Sequence, residues 1–155
     1  MIHFGPAGNC QRFYDEGYKG SEQAPAWIAA QGLNAYEYAA GHGVSIGEEK
    51  ARLIGMEAQR AGVAVSIHAP YYINGANPEK LESNVAYLLA AARAVKLMGG
   101  SRVVFHPGSP SRLKRETALQ NTLETVALAR KRLDDAGCAD ILLCPETMGR
   151  PSQLG

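Results

Sequence analysis

The chain has 155 residues, 46% hydrophobic and 20% charged, which is typical of an ordinary globular protein, and a single domain is the first expectation. Its formal charge of +1 excludes the overall basic field of a general polyanion binder, so any polyanion site has to be local. Three cysteines, an odd number without CxxC spacing, favour a reduced cytoplasmic protein over a disulfide framework.

Neither a signal peptide nor a membrane span is expected. The first ten residues, MIHFGPAGNC, lack the charged segment and the long apolar stretch of a signal peptide. No stretch approaches the roughly 18 uninterrupted apolar residues that a transmembrane helix needs. The sequence therefore predicts a soluble protein without a membrane partner.

Five short runs rich in strand-forming residues recur along the chain at intervals of 30 to 39 residues. These runs alternate with longer helical patterns, which is the signature of successive βαβ units. They are IHFGPAG from residue 2, LNAYEYAA from 33, VAVSIHAP from 63, RVVFHPG from 102 and DILLCPET from 140.

Two helices are predicted before the third strand. The earlier one lies around Trp27. The later one follows SIGE (45 to 48), a capping-box pattern in which the Ser45 hydroxyl would accept a hydrogen bond from the Glu48 amide, and it should end at Gly62. Its predicted apolar face is Ala51, Ile54, Ala58 and Ala61.

Two longer helices are predicted further along. Asn77 and Pro78 suit the cap and the first position of one, which the Gly99 and Gly100 pair should end, and Gly137 should end the other. Spacing of about 3.6 residues predicts one apolar stripe on each helix. The stripes are Leu81, Val85, Leu88, Ala92 and Val95 on the first, and Leu119, Leu123, Val126 and Leu133 on the second.

This alternation of strand and helix predicts a parallel sheet with right-handed crossovers. Two architectures fit. One is an open, doubly wound sheet of five strands, which suits 155 residues. The other is a (β/α)8 TIM barrel, which needs about 250 residues and would be incomplete here, with about five of its eight strands. No linker or low-complexity segment suggests a second domain.

Three predicted strands end in side chains that can bind a metal. His68 ends the third strand, His106 the fourth, and Glu146 follows the fifth. The carboxyl ends of parallel strands meet at one edge of the sheet, so these side chains should converge. Two imidazoles and a carboxylate form a catalytic zinc set with an open position, and manganese or iron would also be accepted. Alone, each is more often a hydrogen-bonded structural residue.

Longer stretches around these residues resemble one known family. SIHAPYYIN, VVFHPGS and PETMG with the later QLG resemble, in order and spacing, the endonuclease IV family of apurinic/apyrimidinic (AP) endonucleases. FGPAGN and AYEYAAGHGV are also similar, so the resemblance covers essentially the whole chain. It implies a (β/α)8 barrel in which a cluster of three zinc ions hydrolyses the phosphodiester on the 5′ side of an abasic site.

The resemblance also implies roles for the three ligands. His68, His106 and Glu146 would surround one zinc ion, with Glu146 bridging to a second and serving catalysis, in which metal-activated hydroxide attacks phosphorus. The family's other ligands lie on later strands. We therefore interpret residues 1–155 as the N-terminal portion of a single TIM-barrel domain, with one ligand set complete and with impaired nuclease activity.

The resemblance further implies contacts with double-stranded DNA that contains abasic sites. Tyr71 matches a position whose side chain enters the base stack, and Tyr72 the adjoining wedge. His42 lies in a loop that probes DNA in the family. For each tyrosine, packing under its own loop is the equal alternative. Asn74 is expected to shape the turn and to bind nothing.

A basic loop follows His106. Ser109, Arg112 and Lys114 are the predicted phosphate contacts there, because cations near a helix N-terminus oppose the helix dipole unless an anion binds. A solvated charge run is the alternative.

Two further expectations compete with or extend this interpretation. Any one of these motifs is also similar to the wider xylose-isomerase-like barrels, so a sugar isomerase or epimerase on the same barrel is the alternative. Such an enzyme would need neither DNA-wedging tyrosines nor a basic rim. Independently of function, a partial barrel exposes an unpaired sheet edge, so the chain should self-associate through it.

Overall fold

A parallel four-stranded sheet forms the centre of the protein, whose structure, a computed structural model, describes residues 2–154. The strands follow one another across the sheet in chain order, as the βαβ pattern predicts. They are β1 (Ala35–Ala39), β2 (Ala64–His68), β3 (Arg102–Phe105) and β4 (Leu142–Pro145).

Helices alternate with these strands along the chain. They are α1 (Gln11–Asp15), α2 (Ala24–Ala30), α3 (Glu48–Ala61), α4 (Leu81–Leu97) and α5 (Arg115–Asp135). Short 3-10 turns precede α2 and α4. The α/β fold class is therefore confirmed.

The first predicted strand differs from the prediction. Within the described residues, the segment from residue 2 onward forms only a single parallel bridge, between Ala7 and Glu37, although its backbone also accepts hydrogen bonds from β1. Pro6 has no N–H to donate. A Cβ on Gly5 would lie 1.6 Å from the carbonyl oxygen of Ala35, so the two backbones approach too closely there for a regular ladder.

The two faces of the sheet differ in what covers them. Tyr36, Ile67 and Val103 point to the helices and are buried in the main hydrophobic core. Alternation along the strands puts Glu37 and Ser66 on the other face, where the Ser66 hydroxyl donates to the Glu37 carboxylate across 3.2 Å. His68 lies on this second face, two residues beyond Ser66.

The predicted capping box at Ser45 is wrong. The N-cap of α3 is Gly47, whose position lacks a side-chain hydrogen bond, and the helix begins one residue later at Glu48. The other end is confirmed, because Gly62 adopts the left-handed conformation at φ 68°. The predicted core positions Ala51, Ile54 and Ala58 are buried.

The helix α4 is largely as predicted. The Asn77 side chain accepts a hydrogen bond from the Glu79 amide at 3.0 Å, but the turn it caps is the 3-10 turn Pro78–Lys80 that leads into α4. Four of the predicted stripe residues are buried against the sheet and its neighbours, namely Val85, Leu88, Ala92 and Val95.

The apolar stripe predicted for α5 is confirmed in its second half, where Leu133 is buried and Val126 packs against the core, and is wrong in its first half. Leu119 and Leu123 are 50% and 56% exposed. The buried face instead consists mainly of small and hydroxyl-bearing residues, which let α5 approach its neighbours closely: Ala118, Thr122, Thr125, Ala129 and Leu133. The two threonines are tolerated there because their hydroxyls donate to the backbone carbonyls of Ala118 and Gly75.

Two other expectations can be compared with the described residues. The three cysteines are free thiols. Among the helices of residues 2–154, none combines the length and the apolar character that crossing a bilayer requires.

Candidate metal centre

His68, His106 and Glu146 converge at the carboxyl end of the sheet, as predicted. One carboxylate oxygen of Glu146 lies 3.2 Å from Nε2 of His68 and 3.1 Å from Nε2 of His106. The two imidazole rings meet edge to face with their centroids 4.9 Å apart. The three ligand atoms lie within 4.8 Å of one another.

The strands and loops hold these side chains differently. His68 is the last residue of β2 and is paired on both sides, with Ala39 of β1 and with Val104 of β3. His106 and Glu146 lie just beyond the ends of β3 and β4. The last hydrogen bond between these two strands is donated by the Glu146 amide to the Phe105 carbonyl. Position 68 is therefore fixed by the sheet, whereas positions 106 and 146 depend on loops.

The groups around His68 suit a bound metal ion. Its Nδ1 lies 2.9 Å from the Ala69 carbonyl oxygen, and its Nε2 lies 3.2 Å from the Glu146 carboxylate. Both neighbours are acceptors, yet a neutral imidazole has only one N–H to donate. A metal ion bound to Nε2 and to the Glu146 carboxylate would satisfy both groups while Nδ1–H donates to the Ala69 carbonyl.

The two separations between the histidine nitrogens and the Glu146 oxygen fit a metal. In a tetrahedral zinc site with bonds of about 2.0–2.1 Å, neighbouring ligand atoms are about 3.3 Å apart, close to the 3.1 and 3.2 Å found here. The Nδ1 contact of His68 with a backbone carbonyl is the usual arrangement that fixes the tautomer of a ligating histidine. The two histidines are about one-fifth exposed, and the glutamate is 45% exposed.

The three aromatic residues predicted to contact DNA form a row of edge-to-face rings that ends at Tyr87. His42 and Tyr71 meet edge to face at 5.4 Å, Tyr71 and Tyr72 at 5.5 Å, and Tyr72 and Tyr87 at 5.0 Å. Tyr71 is 57% exposed, whereas Tyr72 is half-buried. Desolvation, followed by the neighbouring Tyr87, raises the pKa of Tyr72. Tyr71 is therefore the exposed tyrosine of this row.

The predicted phosphate contacts of the basic loop lie in two places, a groove and the N-terminal end of α5. Ser109 and Arg112 line a groove of about 510 Å³ together with Asn77. Lys114 is the exposed N-cap residue of α5 and is outside the lining of that groove. Ser111, between them, has a positive φ of 53°.

Sequence reasoning missed how the loops are joined. The Asn74 side chain accepts a hydrogen bond from the Ser109 amide, and the buried Asn84 side chain binds the backbone of Asn74. The available signal was Asn84 itself, a polar residue next to Val85 in the predicted apolar stripe of α4.

The fold and the site together define a class: a parallel α/β barrel sheet with a cluster of metal-ligand side chains at the carboxyl ends of its strands. The profile of one family matches residues 25–155, and its description is xylose isomerase-like TIM barrel. The chain belongs to this family.

The individual relatives are consistent with the predicted resemblance. Probable endonuclease 4 of Mycoplasma mobile is 30% identical over 92 residues, which are 59% of this chain and 31% of that protein. Endonuclease IV from Thermus thermophilus is similar in structure, with a TM-score of 0.56, 23% identity, and coverage of 80% of this chain and 45% of that one. The resemblance to endonuclease IV is thus confirmed.

A solved epimerase shares the fold more closely. The D-psicose 3-epimerase from Clostridium cellulolyticum has a TM-score of 0.71 at 11% identity, covering 95% of this chain and 50% of that one. At such identities the solved structures show the shared fold alone. The chain spans about a third of the length of the curated relatives and about half of the solved structures.

Proposed function

We propose that this chain is part of a metal-dependent DNA-repair endonuclease that hydrolyses the phosphodiester 5′ of abasic sites. The observation that carries the proposal is the convergence of His68, His106 and Glu146 within 4.8 Å. The names of the curated relatives support the same activity. Zinc is the proposed ion, one of up to three in a complete site, and manganese is a second ion that these ligands accept.

The three side chains would hold the ion through Nε2 of each histidine and a carboxylate oxygen of Glu146. When bound, the ion supplies Lewis-acid activation of water and of a phosphoryl oxygen. His68 stays oriented because its Nδ1 faces the Ala69 carbonyl. Glu146 is the catalytic residue among them, since one oxygen of its half-exposed carboxylate can bind the ion while the other accepts a proton from an approaching water.

The surroundings would bind the duplex. The exposed ring of Tyr71 offers a stacking surface beside the metal centre, with His42 and Tyr72 packed against it. Ser109 and Arg112 offer hydrogen-bond donors to backbone phosphates from one groove, and Lys114 from the adjacent helix end. Such contacts position DNA without reading its sequence, as suits recognition of a missing base.

The test compares zinc binding, DNA binding and incision by this protein. We expect one zinc ion to bind, zinc-dependent preference for an abasic duplex over an intact one, and slow incision that chelator abolishes and added zinc restores. Incision should be slow because the described residues 2–154 bring together side chains for one ion of the proposed three. Chelator-insensitive cleavage, or equal affinity for both duplexes, would contradict the proposal.

A sugar epimerase is the second candidate. The observation that favours it is the hydrogen-bonded Glu37 and Ser66 pair, which lies on the same sheet face as His68 and would suit sugar hydroxyls. Replacement of Tyr71 by Ala separates the two candidates, with Tyr14→Ala on α1 as a control for a similarly exposed tyrosine. The endonuclease proposal expects weaker DNA binding only for Tyr71→Ala; unchanged DNA binding together with sugar turnover would favour the epimerase.

A further inference from the structure

The loop after β2 and the segment that carries His106 are joined through one side chain, that of Asn74. Its Oδ1 accepts hydrogen bonds from the backbone amides of Ala76 and Ser109, each at 3.2 Å. The neighbouring Gly75 amide donates to the Pro107 carbonyl at 3.0 Å. Two adjacent residues of this loop therefore bind Pro107 and Ser109, which lie on either side of Gly108 and follow His106.

The approach of these segments depends on a glycine. Gly108 has a φ of 109°, and a Cβ at this position would lie 2.1 Å from Oδ1 of Asn74 and 2.8 Å from its Cα. Any other residue would therefore push the two segments apart. The Gly108 carbonyl in turn accepts from the Leu154 amide at 2.8 Å, which ties in the segment that follows Glu146.

Hydrogen bonds from α4 and α5 hold Asn74 and the two residues after it. The side chain of Asn84 on α4, only 1% exposed, donates to the Asn74 carbonyl at 2.7 Å and accepts from the Asn74 amide at 3.3 Å. From α5, Thr125 donates to the Gly75 carbonyl and Asn121 to the Ala76 carbonyl, each at 3.0 Å. The acceptor that binds the Ser109 amide is thus anchored to two helices.

We infer that Asn74 is a positioning residue of the metal centre, which sets where His106 lies relative to His68. The inference rests on the proposed metal site. His68 is fixed by strand pairing on both sides, whereas His106 lies beyond the end of β3. Because metal–ligand distances tolerate only about ±0.2 Å, a small movement of the His106 segment weakens the site.

The experiment measures zinc affinity by competition with a chromophoric chelator. Asn74→Ala should weaken zinc binding about 10- to 100-fold, the range found when groups behind metal ligands are removed. Asn74→Asp keeps an acceptor oxygen for both amides and should restore binding to near the original affinity. Asn34→Ala is the matched control, because the Asn34 side chain accepts a hydrogen bond from the Phe4 amide at the amino end of β1, at the other end of the sheet. It should lower stability without changing zinc affinity.

A second measurement needs no variant. In the unaltered protein, zinc should slow hydrogen exchange of the Ala76 and Ser109 amides together, because ligand binding and loop ordering are linked reciprocally. If Asn74→Ala does not fold, this exchange experiment decides the question.

The outcomes separate the two proposals. Failure of the unaltered protein to bind zinc would overturn the metal site and the positioning role together. Zinc binding that is equally tight in Asn74→Ala, or that leaves exchange at both amides unchanged, would overturn the positioning role alone.

Discussion

Replacement of Glu146 by Gln tests whether the cluster binds a metal or is only a hydrogen-bonded structural group. The change keeps the size of the side chain but removes the charge that lies 3.2 and 3.1 Å from the two imidazoles. In a purely structural pair at this distance, the charge is worth about 1 kcal/mol near the water dielectric that suits a half-exposed carboxylate. In a metal site, it is one of three ligands.

The metal interpretation predicts a much larger effect, and only with zinc. Loss of a ligand should cost at least the roughly 100-fold in affinity that removal of outer groups can cost. With zinc in excess, that loss removes about 2.7 kcal/mol of zinc-dependent stabilisation. At about 2–4 °C per kcal/mol for a domain of this size, the zinc-induced rise in Tm should shrink by about 5 to 10 °C.

Thermal melts with zinc and with chelator measure this difference directly. Glu79→Gln, which neutralises another exposed glutamate in the loop before α4, is the matched control and should keep the full zinc-induced rise. An equal rise in Tm for Glu146→Gln and for the unaltered protein would refute the reasoning, because the carboxylate would then contribute nothing to metal binding.

Two further predictions concern the sheet edge and the core. Leu142 on the edge strand β4 and Leu123 on α5 are both more than half exposed and should drive self-association. Changing both to Lys should shift sedimentation toward the monomer, and an unaltered protein that stays monomeric at high concentration would contradict this. Burial raises the pKa of Tyr36 to about 12 from 10.0, so stability that is intact below pH 10 should be lost as pH rises through about 12. Tyr36→Phe should flatten this alkaline loss in melts between pH 9 and 12, and an unchanged slope would exclude Tyr36 as its cause.

The convergence of His68, His106 and Glu146 was predictable from sequence for a simple physical reason. His68 and His106 end apolar runs, and Glu146 follows a third such run. In a parallel sheet whose strands follow chain order, every such position lies at the same edge. Spacing and residue type were therefore sufficient to predict that these side chains converge, although His68 and Glu146 are 78 residues apart in the sequence.

The buried face of α5 was not predictable by the same means. The pattern counted Leu119 and Leu123 as buried because they are large and apolar, yet Thr122 and Thr125 occupy the interface. A threonine can be buried only where a carbonyl accepts from its hydroxyl, here those of Ala118 and Gly75. Whether such an acceptor is available depends on how closely the helix approaches a loop, and periodicity carries no information about that distance.

In the proposed metal site, one ligand is held by the sheet and two are held by loops, and this difference has a consequence for metal choice. His68 is placed by two strand pairings, but the 45% exposed carboxylate of Glu146 and the His106 segment beyond β3 are placed by loop contacts. A fixed first ligand with two adjustable ones can accept ions of different size, so the ligand types alone select weakly between zinc and manganese. Selectivity then depends on how rigidly the loops are held. Loosening the Asn74 contact should therefore cost zinc, which needs short bonds and tetrahedral geometry, more than it costs manganese. The ratio of the two affinities, measured in Asn74→Ala and in the unaltered protein, reports that rigidity directly.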